Sequence, residues 1–291
     1  MRQLPAYECH IHPRPNRVRL TRVFVEGALI PGSLVELPRD TAAHLARVLR
    51  ARSGDELVVF NGDGREFTGA IEAVRGSRVS ASIGAARSID RESPFQLTLV
   101  QCVPRGDRMD FIVQKATELG VVRIVPVLSQ RSVVRLDEVQ AASKQVHWRA
   151  VAVSACEQCG RNRLPSVEPP QPLLTYLGAM APRADTDRLL RLVLEPERAR
   201  ETRREARPID AAHSIDGEIP AASGAQIAIG PEGGFTPDEL EAFDLSAFSR
   251  VTLGPRVLRT ETAAIAAIVV LQARLGDMWA VSDDSSRTAD S

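Results

Sequence analysis

Lysine is almost missing from this sequence: Lys115 and Lys144 are the only two among 37 basic residues, so nearly all positive charge is guanidinium. Arginine suits bidentate phosphate recognition, but a plain compositional bias gives the same excess. Long apolar runs are missing as well. Stretches such as Ile265–Leu271 fall far short of the roughly 20 residues that span a bilayer, and Met1–Arg19 lacks the apolar centre of a signal peptide. The expectation is a cytoplasmic protein without a membrane partner. Four cysteines in 291 residues do not make a disulfide scaffold, which fits a reducing compartment. No Gly-x-x-x-x-Gly-Lys-Ser/Thr, Gly-x-Ser-x-Gly or His-Glu-x-x-His occurs, leaving P-loop nucleotide, hydrolase and metalloprotease readings unsupported.

What remains is ordinary globular material. The chain is 44% hydrophobic and 25% charged, enough for one large or two modest domains. Lys+Arg and Asp+Glu both number 37, so any nucleic-acid argument rests on where the charges lie. Residues 1–52 carry nine arginines against four acids, and residues 101–164 carry ten basic against six acidic. The first 164 residues hold a net excess of seven positive charges and the remainder an equal negative excess. A polyanion would therefore meet the first half.

Along the chain, residues 1–19 read as a loose arm. Its Cys9, His10 and His12 have no second ligand pair, so no metal is expected. Short alternating stretches over Arg22–Val25, Glu56–Phe60, Glu66–Glu72 and Arg78–Ile83 read as strands, with Asn61–Gly64 as a hairpin turn. Asp40–Arg50 reads as a helix whose apolar side holds Ala43, Leu45, Ala46, Val48 and Leu49. Residues 20–92 thus predict a β-rich, barrel-like module. Ser93-Pro94 marks a boundary. Beyond it, strands at Phe95–Val100, Val121–Leu128, Leu189–Leu194, Gln226–Ile229 and Arg250–Leu253 alternate with helices at Arg108–Leu119, Asp137–Glu157 and Ala263–Leu275. That pattern predicts an α/β domain over 93–280 with a largely parallel sheet. The polar run 196–223 reads as a mobile insertion, and the tail 281–291 as disordered.

Two segments carry the chemistry. In Ile227–Leu240 a strand enters Gly230-Pro231-Glu232-Gly233-Gly234, and Thr236, Pro237 and Glu239 form a helix-capping signature. In Val251–Ala263 a strand again ends at Gly-Pro, here Gly254-Pro255, before an apolar helix that Thr260 or Thr262 is placed to cap. Ligands bind at the carboxyl ends of parallel strands, so the two loops predict two walls of one pocket. The first lacks dinucleotide spacing and carries a carboxylate, which favours a cofactor with little negative charge or a positive one. Arg259 and Glu261 are either a solvated ion pair or pocket residues. Cys156-Glu157-Gln158-Cys159 is half a zinc site at most, and it ends a helix where a redox motif would open one.

These residues resemble the RsmE family, uridine-N3 methyltransferases of small-subunit ribosomal RNA within the SPOUT superfamily. The resemblance rests on Gly230–Gly234 and Leu253–Ala263, with support from Arg22–Phe24, His44–Arg50, Lys115–Val121 and Glu157–Arg161. It implies a PUA-like barrel followed by an α/β domain with a C-terminal trefoil knot, a homodimer, and S-adenosylmethionine as cofactor. The implied cofactor pocket comprises Leu194, Ile229, Gly230, Gly233, Leu253, Gly254, Val257, Leu258 and Thr260. For transfer to N3 of a uridine in 16S rRNA, Arg259 would stabilise the base carbonyl oxygens, and Glu261 or Glu232 would accept the proton. Arg22, Arg47, Arg50, Arg65, Arg105 and Arg131 would contact RNA phosphates. With aromatic residues at 4%, base capture would rely on hydrogen bonds and arginine planes. Two rivals stay open: another SPOUT methyltransferase acting on tRNA or a ribose 2′-hydroxyl, and a non-catalytic RNA-binding assembly factor.

Overall fold

The computed structural model describes residues 20–180, 189–195, 207–208 and 222–278. The arm, most of the 196–223 insertion and the tail lie outside the described residues, as do Cys9, His10 and His12.

The first unit contains β1 (Thr21–Phe24), β2 (Leu34–Glu36), α1 (Arg39–Arg47), β3 (Glu56–Phe60), β4 (Arg65–Arg75) and β5 (Arg78–Ser88). Its sheet runs β1-β3-β4-β5-β2, antiparallel except for β1 beside β3. Alternate residues face one core: Leu57 and Val59, then Val79, Ala81 and Ile83, covered by Ala42 and Leu45 of α1. Register shifts in the β4–β5 pairing bend the sheet, but among the described residues its edge strands β1 and β2 do not pair to close it. Residues 61–64 connect β3 to β4, where the hairpin was expected.

Three expectations need correction. Strands β4 and β5 extend past the apolar stretches that announced them, because their ends pair with each other and need no buried side chain. The three-residue strand β2 gave no signal, since none of its side chains is fully buried. Helix α1 stops at Arg47, leaving Val48 and Leu49 exposed at 65% and 50%, so its buried side is Ala42 and Leu45.

The second unit contains β6 (Gln96–Cys102), α2 (Arg108–Glu118), β7 (Arg123–Leu128), α3 (Glu138–Cys159), β8 (Ser166–Val167), β9 (Gln171–Pro172), α4 (Leu173–Gly178), β10 (Leu189–Leu194), β11 (Arg207–Pro208), β12 (Gly224–Ile229), α5 (Pro237–Leu245), β13 (Ser249–Thr252) and α6 (Thr260–Leu275). The sheet runs β11-β13-β10-β12-β6-β7-β8, with β9 also on β7, and every pairing is parallel. Side-chain alternation separates two cores. Leu97, Leu99, Ile227 and Ile229 face α2, α3 and α6, whereas Val100, Cys102, Val127 and Ala228 face α4 and α5. Helices on both faces explain the near-continuous apolar strands.

The two units meet along a seam that is apolar at one point and ionic beside it. Phe24 and Phe60 pack edge to face, with centroids 5.6 Å apart, against Cys156 of α3. Next to them Arg22 donates to Glu66 (2.6 Å), to the Asn162 side chain (2.6 Å) and to the Arg161 carbonyl (3.2 Å). Arg161, 4% exposed, donates to Glu92 and to the carbonyls of Thr117 and Val121, both at 2.8 Å. Glu157 accepts the Phe24 amide at 3.0 Å. The expectation that Arg22 contacts phosphate therefore fails: its side chain is 8% exposed and committed to the seam.

Burial alone would raise the Glu66 carboxyl, but hydrogen bonds and charge from Arg22 and Arg91 outweigh it, and the net direction is down. A carboxyl held low when folded stabilises at neutral pH, and that stabilisation is lost as pH falls through its folded value. Arg22→Ala should cost about 3–5 kcal/mol at pH 7, because it leaves Glu66 buried with less compensation. The loss should narrow on acidification. Thermal melts of both proteins across pH check this; a gap that stays constant down to the acid limit would contradict it.

Candidate active site at three strand ends

Strands β13, β10 and β12 are neighbours in the sheet and run the same way, so their carboxyl ends open on one place. There the chain forms a cavity of about 510 Å³. Leu194 and Ile229 close β10 and β12, and Leu253 directly follows β13; all three line it. Gly230 and Gly233 of the first loop, with Gly254, Val257, Leu258 and Thr260 of the second, complete the nine expected pocket residues, and the structure brings them all together.

Local chemistry fixes both loops. Thr236 and Glu239 form the expected capping box at the start of α5, with Pro237 in its first turn. The buried Glu239 also accepts the Gln130 amide at 2.7 Å, tying this loop to the one after β7. Arg131 donates to the carbonyls of Gly233 (2.9 Å) and Phe235 (3.2 Å). Arg131 thus straps the glycine loop while the residue stays exposed. A Cβ on Gly230 would stand 3.1 Å from the Phe235 ring, tighter than ordinary packing, so glycine lets that ring approach without displacement. Gly254 has φ +64°, a left-handed turn that lets the second loop double back.

Thr260 does not cap α6, and neither does Thr262; Arg259 holds the cap position without a side-chain bond. The Thr260 hydroxyl instead donates to the Gly230 carbonyl (2.8 Å) and accepts from the Gln101 amide (3.0 Å). Gln101, fully buried at the end of β6, also donates to the Cys102 carbonyl at 2.8 Å. This chain of bonds joins the two pocket loops through a third strand.

The charged groups do not fall as their spacing suggested. Arg259 lines the cavity and has no ion-pair partner among the described residues. Glu232 lines it too, and bonds Arg108 at 2.6 Å. Glu261 is not on the wall; its nearest cation is also Arg108, at 3.9 Å. Glu195, unnoticed in the sequence, reaches the cavity from the end of β10, and burial pushes its carboxyl up against the pull of Arg250. Arg47, Arg50 and Arg105 are exposed, and Arg65 is bidentate on Asp63. Cys156 is buried in the seam, where its thiol donates to the Arg163 carbonyl at 3.7 Å, so it is a packing residue. Among the described residues no group of three or more His, Cys, Asp or Glu is placed to hold a metal, and no helix is long and apolar enough to cross a membrane.

The family profile described as RNA methyltransferase domain matches residues 91–272, and the one described as RNA methyltransferase PUA domain matches residues 37–83. The ribosomal RNA small subunit methyltransferase E of Bacillus subtilis is 32% identical over 225 residues, covering 77% of this chain and 84% of that one. The chain belongs to the ribosomal RNA small subunit methyltransferase E family. Two solved methyltransferase structures superpose over most of its length. A methyltransferase from Legionella pneumophila in complex with S-adenosylmethionine gives a TM-score of 0.75 at 36% identity, covering 90% of this chain and all of that one. The family member from Neisseria gonorrhoeae bound to S-adenosyl methionine gives 0.74 at 35%, covering 89% and 99%. A preformed, mostly apolar cavity with a few polar groups on its walls is the general geometry of a cofactor site.

Replacing Thr260 by Val keeps the shape and removes both of its bonds, leaving the Gly230 carbonyl and one Gln101 donor without that partner. The expected cost is about 1–3 kcal/mol, with Thr260→Ser close to wild type. Chemical denaturation of the two variants measures it; equal stability of all three proteins would show that the bond chain is not a structural tie.

Proposed function

We propose that this chain is an S-adenosylmethionine-dependent methyltransferase that modifies N3 of a uridine in 16S rRNA of the small ribosomal subunit, acting in the cytoplasm. The observation that carries this reading is the single cavity built from Gly230–Gly234 and Leu253–Thr260 at adjacent strand ends, in a chain of this family. The residues present fit the cofactor. Leu194, Ile229, Leu253 and Leu258 offer flat apolar walls for an adenine, and the glycine loops offer backbone donors and acceptors. Carboxylates at Glu195 and Glu232 suit a ligand carrying positive charge, and Glu232 within the glycine loop would repel a polyphosphate. When bound, S-adenosylmethionine supplies an electrophilic methyl group.

The chain's own residues then have three tasks. Neutral uridine carries a proton on N3, and its loss spreads negative charge over the flanking carbonyl oxygens. Arg259, on the wall and without an ion-pair partner among the described residues, is the guanidinium assigned to those oxygens in this reading, with Arg256 also on the wall. Of the two carboxylates on the wall, Glu232 belongs to the glycine loop and takes the proton in this reading, with Glu261 linked to it through Arg108. Orientation of the base against the cofactor contributes much of the rate. Exposed Arg47 and Arg50 on and beside α1, with Arg65 and Arg105, make the RNA contacts. We further propose that the first unit is a PUA-like barrel spanning 20–92, that the domain over 93–280 carries the trefoil knot in its C-terminal part, and that the protein works as a homodimer.

The deciding experiment measures methyl transfer to small subunits lacking the modification, with the product nucleoside identified by mass spectrometry against authentic N3-methyluridine. N3-methyluridine supports the reading, and another methylated nucleoside moves the substrate to a different RNA position. Cofactor binding without transfer to subunits or naked RNA favours an assembly factor. In the same assay Arg259→Ala should lower transfer more than about tenfold while changing cofactor affinity less than about threefold. Arg47→Ala with Arg50→Ala should weaken RNA binding and reduce the slope of log affinity against log salt by roughly one to two; an unchanged slope would remove them from the phosphate contacts.

A further inference from the structure

One charged residue at the cavity mouth belongs to neither glycine loop. Arg108 is the first residue of α2, and its backbone is held in place because the next residue, Met109, is 1% exposed in the core shared with α6. Its Nη1 donates to Glu232 Oε1 at 2.6 Å across 124 residues of sequence, and its Nε stands 3.9 Å from Glu261 Oε1. One guanidinium thus bonds the carboxylate of the first loop and stands within ion-pair distance of a carboxylate in the first turn of α6, which follows the second loop. The two carboxylates differ. Glu232 is 40% exposed and lines the cavity, whereas Glu261 is 16% exposed and its Oε2 is buried without a hydrogen-bond partner. A carboxylate so enclosed needs a cation nearby, and among the described residues Arg108 is the one within 4 Å.

We propose that Arg108 is a positioning residue for methyl transfer: anchored from behind by Glu261, it fixes the Glu232 carboxylate at the cavity wall in the orientation needed to accept the substrate proton. The inference rests on Glu232 being the proton acceptor. It gives Glu261 a defined task without placing it on the wall. The planar fork of arginine explains the residue type, since Nη1 and Nε address two carboxylates at once from one rigid group. Arg108 meets the cavity only through Glu232 and does not itself line it, so its loss should be read in turnover more than in binding.

The test combines Arg108→Gln, Arg108→Lys, Glu232→Gln and the double variant Arg108→Gln/Glu232→Gln, assayed on small subunits with thermal melts alongside. Arg108→Gln should lower kcat by about 10- to 100-fold while the KM values for cofactor and subunit stay within about threefold. Arg108→Lys, which restores a cation, should stay within about tenfold of wild type, and the double variant should be within about twofold of Glu232→Gln alone. Losses that multiply in the double variant, a Lys variant as slow as the Gln variant, or an unchanged kcat in Arg108→Gln would each overturn the role of Arg108. A Glu232→Gln enzyme at full rate would instead overturn the proton-acceptor reading, and the inference with it, so the two failures are distinguishable.

Discussion

Two buried guanidinium groups at the seam set the constraint on which the arrangement of this molecule rests. A charge removed from water is tolerated only where opposite charge and hydrogen-bond acceptors surround it. Arg161 meets that requirement with Glu92 of the connecting segment, the Thr117 carbonyl near the end of α2 and the Val121 carbonyl before β7. Arg22 meets it with Glu66 from its own sheet and with Asn162 and the Arg161 carbonyl from the other unit. Rotating one unit against the other would strip several of these partners at once. The seam therefore acts as a fixed joint, and a first unit that binds RNA would present it to the second in one orientation.

Beyond the joint, the cavity follows from parallel strands and short loops. The register aligns Leu194 with Ile229 and with Val251, so the walls begin at matched depth on three adjacent strands. The bond chain from Gln101 through Thr260 to Gly230 then ties the loops together from beneath, in a buried position where each bond is worth more than at the surface. Above it, Arg131 and Glu239 strap the first loop to the segment after β7. A site braced from several sides is preorganised, which is what orientation-dependent chemistry requires.

The sequence disclosed these features unequally. Strand Leu189–Leu194 and the capping box at Thr236 were readable to the residue, because an apolar strand buried on both faces and a reciprocal cap are local events. The pocket residues were readable through motif and resemblance, since both loops keep their glycines and apolar positions contiguous. What escaped depends on distant partners. Nothing near Arg22 announces Glu66, 44 residues on, so a seam residue looked like a phosphate ligand. Nor does anything near Arg131 announce its strap on Gly233, 102 residues away. Val48 and Leu49 looked buried because helical periodicity continues past Arg47, whereas Arg50 adopts φ +51° and the chain turns away. Glu261 stood close to Arg259 in sequence, yet space pairs it with Arg108.

The scarcity of lysine takes on a structural meaning at these same positions. Arg161 uses Nε, Nη1 and Nη2 at once on partners from three segments, and an ammonium on a flexible stem could not span them. Arg108 addresses two carboxylates, and Arg131 two carbonyls of one loop. Compositional bias alone would scatter arginines over the surface, where lysine serves equally well. Here the fork is used in the seam, under the glycine loop and at the cavity mouth, each time joining elements that share no local contact. Other arginines, Arg47, Arg50, Arg105 and Arg259 among them, lie on exposed positions without such ties, which is where a polyanion or a developing oxyanion can be met.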